Sequence, residues 1–284
     1  MKILMFGDIH GRVYHLMSIV NNILKNNTID FVIQLGDFGY YLNPEQLDEP
    51  TRRFAQDDRS ELHSLDYFNQ TLDQSQRYRT YLSHLKQPIH FIEGNHECNA
   101  VLSTLTDYDA PLPQDPMGLF KYIPNGYVIK QDGIKMTFLG GWEDEGHYVC
   151  SDGKIDPNQF WGQTTDILFT HDGPYGIQMG FRGRLQGSKV LSEIIEILEP
   201  KFHFHGHYHT TTGPNKIHQT RSQGLAVFMR PRRNTPAIDI NPGSIGVFDT
   251  ERGEFYYIID EQLHQYRRDD EIETILATSL ELTL

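Results

Sequence analysis

The stretch KILMFGDIHGRVYHLMSIVNNILKNNTIDFVIQLGD, residues 2–37, contains two apolar runs with a helical pattern between them. Residues 3–6 predict a short buried strand, and residues 13–25 predict an amphipathic helix whose apolar side chains fall on one side. Residues 29–37 repeat the strand. This order is that of a β-α-β unit, whose two strands lie parallel, so the stretch predicts an α/β fold.

Three further apolar runs have the same form as these two strands. They are PIHFIEGNHE at 88–97, TDILFTHDGP at 165–174 and PKFHFHGHYH at 200–209. In each of the five, a cluster containing Gly, His, Asp or Asn follows the apolar residues at once. The loops beyond the carboxyl ends of parallel strands form the ligand crevice of such sheets. We therefore expect five strand ends to converge on one site.

The remaining apolar segments predict a second sheet packed on the first. Residues 126–141 predict a hairpin that turns at Asp132 and Gly133. Further strands are predicted in GLAVFM (224–229), PAIDI (236–240), SIGVFD (244–249) and GEFYYIID (253–260).

The domain prediction is one main domain, residues 1–260, followed by a helical tail, residues 261–284. The charged segment 42–80 fits neither sheet and is interpreted as an insertion that ends in a helix running to about Leu85. The insertion is either a lid or a solvated excursion.

Composition narrows the class of protein. The 284 residues carry a net charge of -13 and 38% hydrophobic residues, which is typical of a soluble globular chain. The acidic balance argues against a positively charged coat for nucleic acid, but it allows a local basic groove. Two cysteines are too few for a disulfide framework. No run approaches the roughly 20 apolar residues of a membrane span. The apolar run at residues 3–6 is also too short for a signal-peptide core, so we expect a cytoplasmic protein without membrane contact.

The polar clusters supply carboxylates, one amide oxygen and several imidazoles. The residues are Asp8, His10, Asp37, Asn95, His96, His171, His207 and His209. Alone, each could be a cap, a turn residue or a hydrogen-bonded core histidine. Their common position after strands favours metal ligands, because oxygen and imidazole donors without thiolate suit hard-to-borderline divalent ions. The set exceeds the roughly four protein ligands that one zinc ion needs.

In order, the clusters read GDIHG, GDFG, GNHE, a lone His171 and GHYH, and they resemble the signature of the calcineurin-like metallophosphoesterases. The blocks span residues 8–209. The resemblance implies an α/β fold of four layers, an αββα sandwich with two central mixed sheets flanked by helices. It also implies a dinuclear metal-dependent phosphohydrolase.

The resemblance also implies a role for each matching residue. The implied ligands are Asp8, His10 and His209 for the first metal, Asn95, His171 and His207 for the second, and Asp37 as the bridge. In the implied mechanism, two divalent ions would supply a bridging hydroxide for attack on phosphorus, and His96 would stay off the metals as the proton donor. Manganese is favoured, and iron, zinc and nickel also suit these ligands.

Three functions remain open. The blocks and spacers are similar to the lariat-debranching branch of the family, which favours a phosphodiesterase acting on a nucleotide, RNA or DNA, although that branch carries Cys where Asp8 stands. The alternative is a phosphomonoesterase or a serine/threonine protein phosphatase, but GDFGYYLN lacks the Val-Asp-Arg-Gly of protein phosphatases. A non-catalytic scaffold of the same fold is the third, and its ligand set should show gaps, which this sequence lacks.

Four residues outside the blocks are candidates for substrate binding: Arg12, Tyr40, Arg182 and Arg184. Arginines could contact phosphates, and the tyrosine could stack on a base. Surface solubility and packing are the alternatives. Two other histidines, His203 and His205, precede Gly206 in the strand and are predicted to be buried and to need hydrogen-bond partners. His205 is also a candidate for orienting a metal ligand.

Overall fold

The computed structural model describes residues 1–179, 184–229 and 240–284. Its strands are β1 Lys2–Phe6, β2 Phe31–Gln34, β3 Ile89–Phe91, β4 Phe120–Tyr122, β5 Val128–Gln131, β6 Ile134–Leu139, β7 Trp142–Asp144, β8 His147–Cys150, β9 Gly153–Ile155, β10 Ile167–Thr170, β11 Gln178–Met179, β12 Leu185–Gln186, β13 Phe202–His205, β14 Thr212–Ile217, β15 Thr220–Gly224, β16 Ile245–Asp249 and β17 Glu254–Tyr257.

Helices flank these strands. They are α1 Val13–Asn26, α2 Glu49–Phe54, α3 His63–Phe68, α4 Leu72–Arg79, α5 Asn99–Leu102, α6 Lys189–Leu198 and α7 Ile272–Ala277, with 3-10 turns at Pro44–Gln46, Arg59–Leu62, Pro157–Phe160 and Glu261–Gln265. No helix among the described residues is both long enough and apolar enough to cross a membrane.

Two six-stranded mixed sheets form the centre of the molecule. The first has the order β17-β16-β1-β2-β3-β4, and the second has the order β14-β15-β13-β10-β6-β5. β1 pairs parallel with β2 and β2 with β3, while β10 pairs parallel with β6 and β13. The carboxyl ends of the parallel strands of each sheet therefore meet at one edge, as the β-α-β pattern predicts.

Alternate side chains of the central strands enter different layers of the core. Leu4 and Phe6 of β1 pack with α1, whereas Ile3 and Met5 pack between the two sheets. On the second sheet, Leu168 of β10 packs with α6 in a third cluster. This alternation follows the two-residue period of a strand, and it confirms the predicted four-layer sandwich.

The segment 42–80 is packed against the sandwich. Tyr67 and Phe68 of α3 are buried in the same cluster as α1. Asp58 and Glu61 each accept a hydrogen bond from Arg12 at 2.8 Å, and Asp58 accepts another from Arg268 at 2.9 Å. The predicted helix to Leu85 ends earlier, because α4 stops at Arg79.

Two further predictions differ from the structure. The segment 224–229 is not a strand beyond Gly224, because Phe228 donates its backbone hydrogen bond to Asp8 O instead of to a neighbouring strand. Most of PAIDI lies outside the described residues. The tail is helical over the 3-10 turn Glu261–Gln265 and α7, and after α7 the chain is extended, with Leu280 and Leu282 buried against α1.

Candidate metal centre

Five strand ends bring the predicted ligands together at the edge of the sandwich. Asp8 and His10 follow β1, Asp37 follows β2, Asn95 and His96 follow β3, His171 follows β10, and His207 and His209 follow β13. Residues that are up to 201 positions apart in the sequence thus share one site, as their position after strands predicts.

One group of four side chains surrounds a space at the end of β1. Asp8, His10, Asp37 and His209 each present a ligand atom within 4.8 Å of the others. His10 Nε2 lies 3.2 Å from His209 Nε2 and 3.8 Å from Asp37 Oδ2. His209 Nε2 lies 3.3 Å from Asp8 Oδ2.

A second group lies on the other side of Asp37. His171 Nε2 is 3.3 Å from Asp37 Oδ1, 3.1 Å from His207 Nδ1 and 3.1 Å from Asn95 Oδ1. The opposite nitrogen of His171, Nδ1, donates to Leu35 O at 2.9 Å. This bond fixes the tautomer and leaves the lone pair of Nε2 directed at the group.

Glycines allow the loops to approach the carboxylates this closely. A Cβ on Gly206 would lie 2.3 Å from Asp8 Oδ1, and a Cβ on Gly94 would lie 2.2 Å from Asp37 Oδ1. The neighbouring amides donate to the same oxygens, His207 N to Asp8 at 2.9 Å and His96 N to Asp37 at 2.8 Å. Any side chain at either glycine would displace a predicted ligand.

Four of the predicted ligands have left-handed backbone conformations. The φ angles are 43° for His10, 54° for Asp37, 72° for His207 and 58° for His209. Such conformations are uncommon outside glycine and cost about 1–3 kcal/mol each. Tertiary contacts hold all four in this conformation, which is frequent at functional sites.

Burial and charge shift the pKa values of three predicted ligands toward the forms that bind cations. Burial raises the pKa of Asp8, but the nearby histidines His209, His171 and His10 outweigh it and lower the pKa overall. The pKa of Asp37 is lowered in the same way. Burial lowers the pKa of His10 to about 4, so this imidazole is neutral near pH 7.

The donor set fits a divalent cation. Asp8 Oδ2 is buried and makes no hydrogen bond of ordinary geometry, and the nearest imidazole nitrogen, His209 Nε2, lies 3.3 Å away. The atoms around it are carboxylate oxygens and imidazole nitrogens, which suit manganese, iron, zinc and nickel alike. Asp37 belongs to both ligand groups.

The structure brings in Asp48, a residue that the sequence pattern did not single out. Asp48 Oδ2 accepts a hydrogen bond from His96 Nδ1 at 2.6 Å. Burial by itself would lower the pKa of His96, but this bond and the charges of Asp37 and Asp48 raise it to about 9. Asp48 caps α2 inside the insertion, accepting from Thr51 N at 2.7 Å, and only tertiary packing places it here.

A second pair found only in the structure links two ligand loops. Tyr208 lies between His207 and His209, and its hydroxyl donates to Asp172 Oδ1. Asp172 follows His171 directly, and its other oxygen accepts from Glu143 N at 2.9 Å. Tyr208 occupies the variable position of GHYH, and the sequence pattern assigns no role to that position.

The two strand histidines are buried and have hydrogen-bond partners. His203 contacts Thr170 Oγ1 at 2.7 Å and Ser222 Oγ at 2.8 Å. His205 contacts Gly206 O at 3.1 Å and Thr212 Oγ1 at 3.1 Å. These contacts match the predicted buried polar role, and neither hydrogen-bond partner of His205 is the side chain of a predicted metal ligand.

The candidates for substrate contact have different environments. Arg12 is buried, with its guanidinium engaged by Asp58 and Glu61, and Tyr40 is fully buried, with its hydroxyl donating to Pro113 O at 2.9 Å. Neither can reach a substrate from these positions, which corrects that expectation. Arg184 is exposed. Arg182 lies outside the described residues.

Comparisons with known proteins agree with the fold. A family model described as calcineurin-like phosphoesterase matches residues 1–211. One solved crystal structure covers 90% of this chain and 98% of its own length at 14% identity, with a TM-score of 0.50. At that identity the likeness concerns the fold alone.

Two other solved structures are more distant. The protein TT1561 of Thermus thermophilus is 12% identical over 90% of this chain and 97% of its own, with a TM-score of 0.45. A protein described as a novel archaeal phosphodiesterase is 13% identical over 91% of this chain and 99% of its own, with a TM-score of 0.40. No curated protein matches the chain significantly.

Proposed function

The chain belongs to the calcineurin-like phosphoesterase family, and we propose that it is a phosphodiesterase that uses two divalent metal ions to hydrolyse a nucleotide or nucleic acid. The observation that carries the proposal is the pair of ligand groups that share Asp37. A single carboxylate with one oxygen toward each group suits two neighbouring cations.

The proposed ligands follow from the two groups. Asp8, His10 and His209 hold the first ion, and Asn95, His171 and His207 hold the second, with Asp37 between them. When bound, two such ions supply Lewis acidity, since they neutralise phosphate charge and lower the pKa of water toward 7. Manganese is our first candidate.

His96 is the proposed proton donor to the leaving oxygen. Its ring lies 5.3 Å from the ring of His10, at the border of the first group, and its Nδ1 is occupied by Asp48. Nε2 is therefore the nitrogen that can carry a proton toward substrate. The carboxylate of Asp48 favours the charged imidazole and fixes its orientation.

The substrate side of the site is proposed from exposure and charge. Arg184 is exposed on the segment that follows His171 and remains a candidate phosphate contact. Arg12 is paired with two buried carboxylates and is not free to bind the substrate. We therefore propose that the metal ions and other side chains outside the five sequence blocks bind the phosphate.

Substitution of the shared ligand tests the proposal. Asp37→Asn keeps the shape and suits the left-handed backbone, but removes the negative charge between the two ions. We expect loss of one or both metals and loss of bis(p-nitrophenyl) phosphate hydrolysis. Asp73→Asn, at an exposed position in α4, is the control. Wild-type metal content and turnover in Asp37→Asn would refute the dinuclear centre.

His96 and its partner are tested separately. His96→Ala should retain both metals and lose about 10²- to 10⁴-fold in rate, which is the range for a general acid. Asp48→Asn should also retain metal and lose less rate than His96→Ala. Metal loss in His96→Ala with normal turnover per bound metal would contradict the assignment. If the protein hydrolyses a monoester faster than diesters, we would assign it as a phosphomonoesterase and not as a phosphodiesterase.

A further inference from the structure

A groove at the open edge of the second sheet has no part in the metal centre. It has a volume of about 430 Å³ and is lined by Pro214, Asn215, Lys216, Gln219 and Arg221 of the β14-β15 hairpin. Two of these side chains are cationic, two carry amides, and none is acidic. The lining is therefore positive in a chain whose net charge is -13.

The two cations lie directly opposite each other. Lys216 and Arg221 are cross-strand partners, and both are exposed. Like charges at directly opposed positions destabilise a sheet. No carboxylate in the described part of the chain forms an ion pair with either, and the Arg221 guanidinium lies over the ring of Phe202 at 6.0 Å.

A buried donor in the same lining supplies a second observation. The amide nitrogen Nδ2 of Asn215 is buried and has no hydrogen-bond partner. Buried polar groups are nearly always paired, so an unpaired donor requires an acceptor that the protein does not provide. An anion in the groove would neutralise Lys216 and Arg221, and it would accept from Asn215 Nδ2 only after the side chain of Asn215 turned toward the groove.

Another like-charged pair on the same sheet shows the difference. Lys130 and Lys135 face each other across β5 and β6 at the opposite edge. Asp166 lies beside that pair, because its Oδ2 accepts from Lys135 N at 3.0 Å. The pair at the β5-β6 edge thus has an acidic neighbour, whereas no acidic residue lines the groove that contains Lys216 and Arg221.

We propose that this groove binds backbone phosphates of a single-stranded nucleic acid whose scissile bond lies at the metal centre. The inference rests on the proposed function. β14 begins three residues after His209, and Lys216 lies four residues further along it, about 13 Å at 3.3 Å per residue. The exposed cations and open edge suit a chain that passes along the strand.

The test is a double variant, Lys216→Ala with Arg221→Ala, compared with Lys130→Ala and Lys135→Ala. Binding of a labelled single-stranded 12-nucleotide oligomer is measured by fluorescence anisotropy with chelator present, at several salt concentrations. Each phosphate contact contributes about 0.7 to the salt slope, so we expect the groove variant to reduce the slope by about 1.4. Binding of a dinucleotide and turnover of bis(p-nitrophenyl) phosphate should not change.

Several results would overturn the inference. They are an unchanged salt slope, an equal reduction in the control pair, and an equal loss of dinucleotide binding, which would indicate a site for a lone phosphate. Loss of binding to phosphatidylserine vesicles with unchanged oligomer binding would assign the groove to a membrane surface instead. If the wild-type protein hydrolyses no diester but binds the oligomer through the groove, the proposed function fails, and of the inference only the binding of single-stranded nucleic acid in the groove stands.

Discussion

Tyr208 shows how one side chain can fix two ligands at once. It lies between His207 and His209, whose backbones are both left-handed, and its ring is edge-on to the ring of His207 at 4.9 Å between centroids. Its hydrogen bond to Asp172 joins this loop to the loop that carries His171. Two of the five ligand loops are therefore held together by one hydroxyl.

Removal of that hydroxyl should weaken metal binding. Tyr208→Phe keeps the ring but removes the hydrogen bond that joins the two loops, and Asp172 Oδ1 is left with the bond from Gly173 N at 2.7 Å. The loop that carries the two histidines can then relax away from the ligand geometry. We expect a loss of metal affinity of about 10- to 100-fold, the range for groups that orient ligands. Chelator competition measures it, and Tyr175→Phe at an exposed tyrosine is the control. Equal affinity in both variants would remove this role from Tyr208.

At the scale of elements, α1 connects the metal centre to the end of the chain. The helix begins directly after the first ligand block, and its Asn22 accepts from Leu280 N at 3.0 Å and donates to Thr278 O at 2.9 Å. Asn27 likewise donates to Leu282 O and accepts from Leu284 N. An extended chain, not the predicted helix, docks here.

The extended tail should contribute to stability. Leu282 is 1% exposed and packs in the α1 cluster, so Leu282→Ala should lower the free energy of unfolding by about 2–5 kcal/mol. Thr283, the next residue, is exposed, and Thr283→Ala should have little effect. Urea denaturation of both variants measures the difference. Equal stability would mean that the tail is not part of the folded core.

A buried histidine on β3 predicts sensitivity to acid. Burial lowers the pKa of His90 to about 4 from 6.5, and the neutral ring donates from Nδ1 to Val32 O and accepts at Nε2 from Tyr108. The unfolded chain binds the proton first. The stability from the neutral ring is therefore complete above pH 6.5 and is lost as pH falls toward 4, at up to about 1.4 kcal/mol per pH unit.

The variant His90→Gln isolates this effect because it does not titrate. The difference in unfolding free energy between wild type and His90→Gln should shift against the wild type between pH 6.5 and 4, in chelator-treated protein. The control is His84→Gln at an exposed position. A difference that does not depend on pH would contradict a neutral buried His90.

At the scale of the whole molecule, the metal centre lies at the carboxyl ends of the parallel strands, between the loops of the two sheets. Asp8 belongs to the first sheet's loops and His171 and His209 to the second sheet's, so a bound cation would join both sheets. The proposed division into residues 1–260, with the insertion 42–80, and the tail 261–284 stays a prediction.

Metal binding should therefore stabilise the protein as a whole. A ligand that binds only the folded state adds about 4 kcal/mol at 1,000 times its Kd. We expect manganese to raise the thermal midpoint of chelator-treated protein and Asp37→Asn to remove most of that increase. Calorimetry with and without manganese measures it. An unchanged midpoint in saturating metal would contradict binding at the junction of the sheets.

The sequence by itself predicted the sandwich, through the resemblance to the family, and the polar residues that meet at the strand ends, because an apolar strand followed by a polar cluster is a local pattern. The assignment of these residues as metal ligands stays a prediction. The sequence did not predict that Asp48 and Tyr208 take part in the site, that Arg12 is buried or that the tail is extended. Those depend on contacts between segments far apart in the chain, such as Asp48 with His96 and Arg12 with Asp58. Periodicity indicates which face of an element is buried, but only tertiary packing decides which side chain lies opposite it.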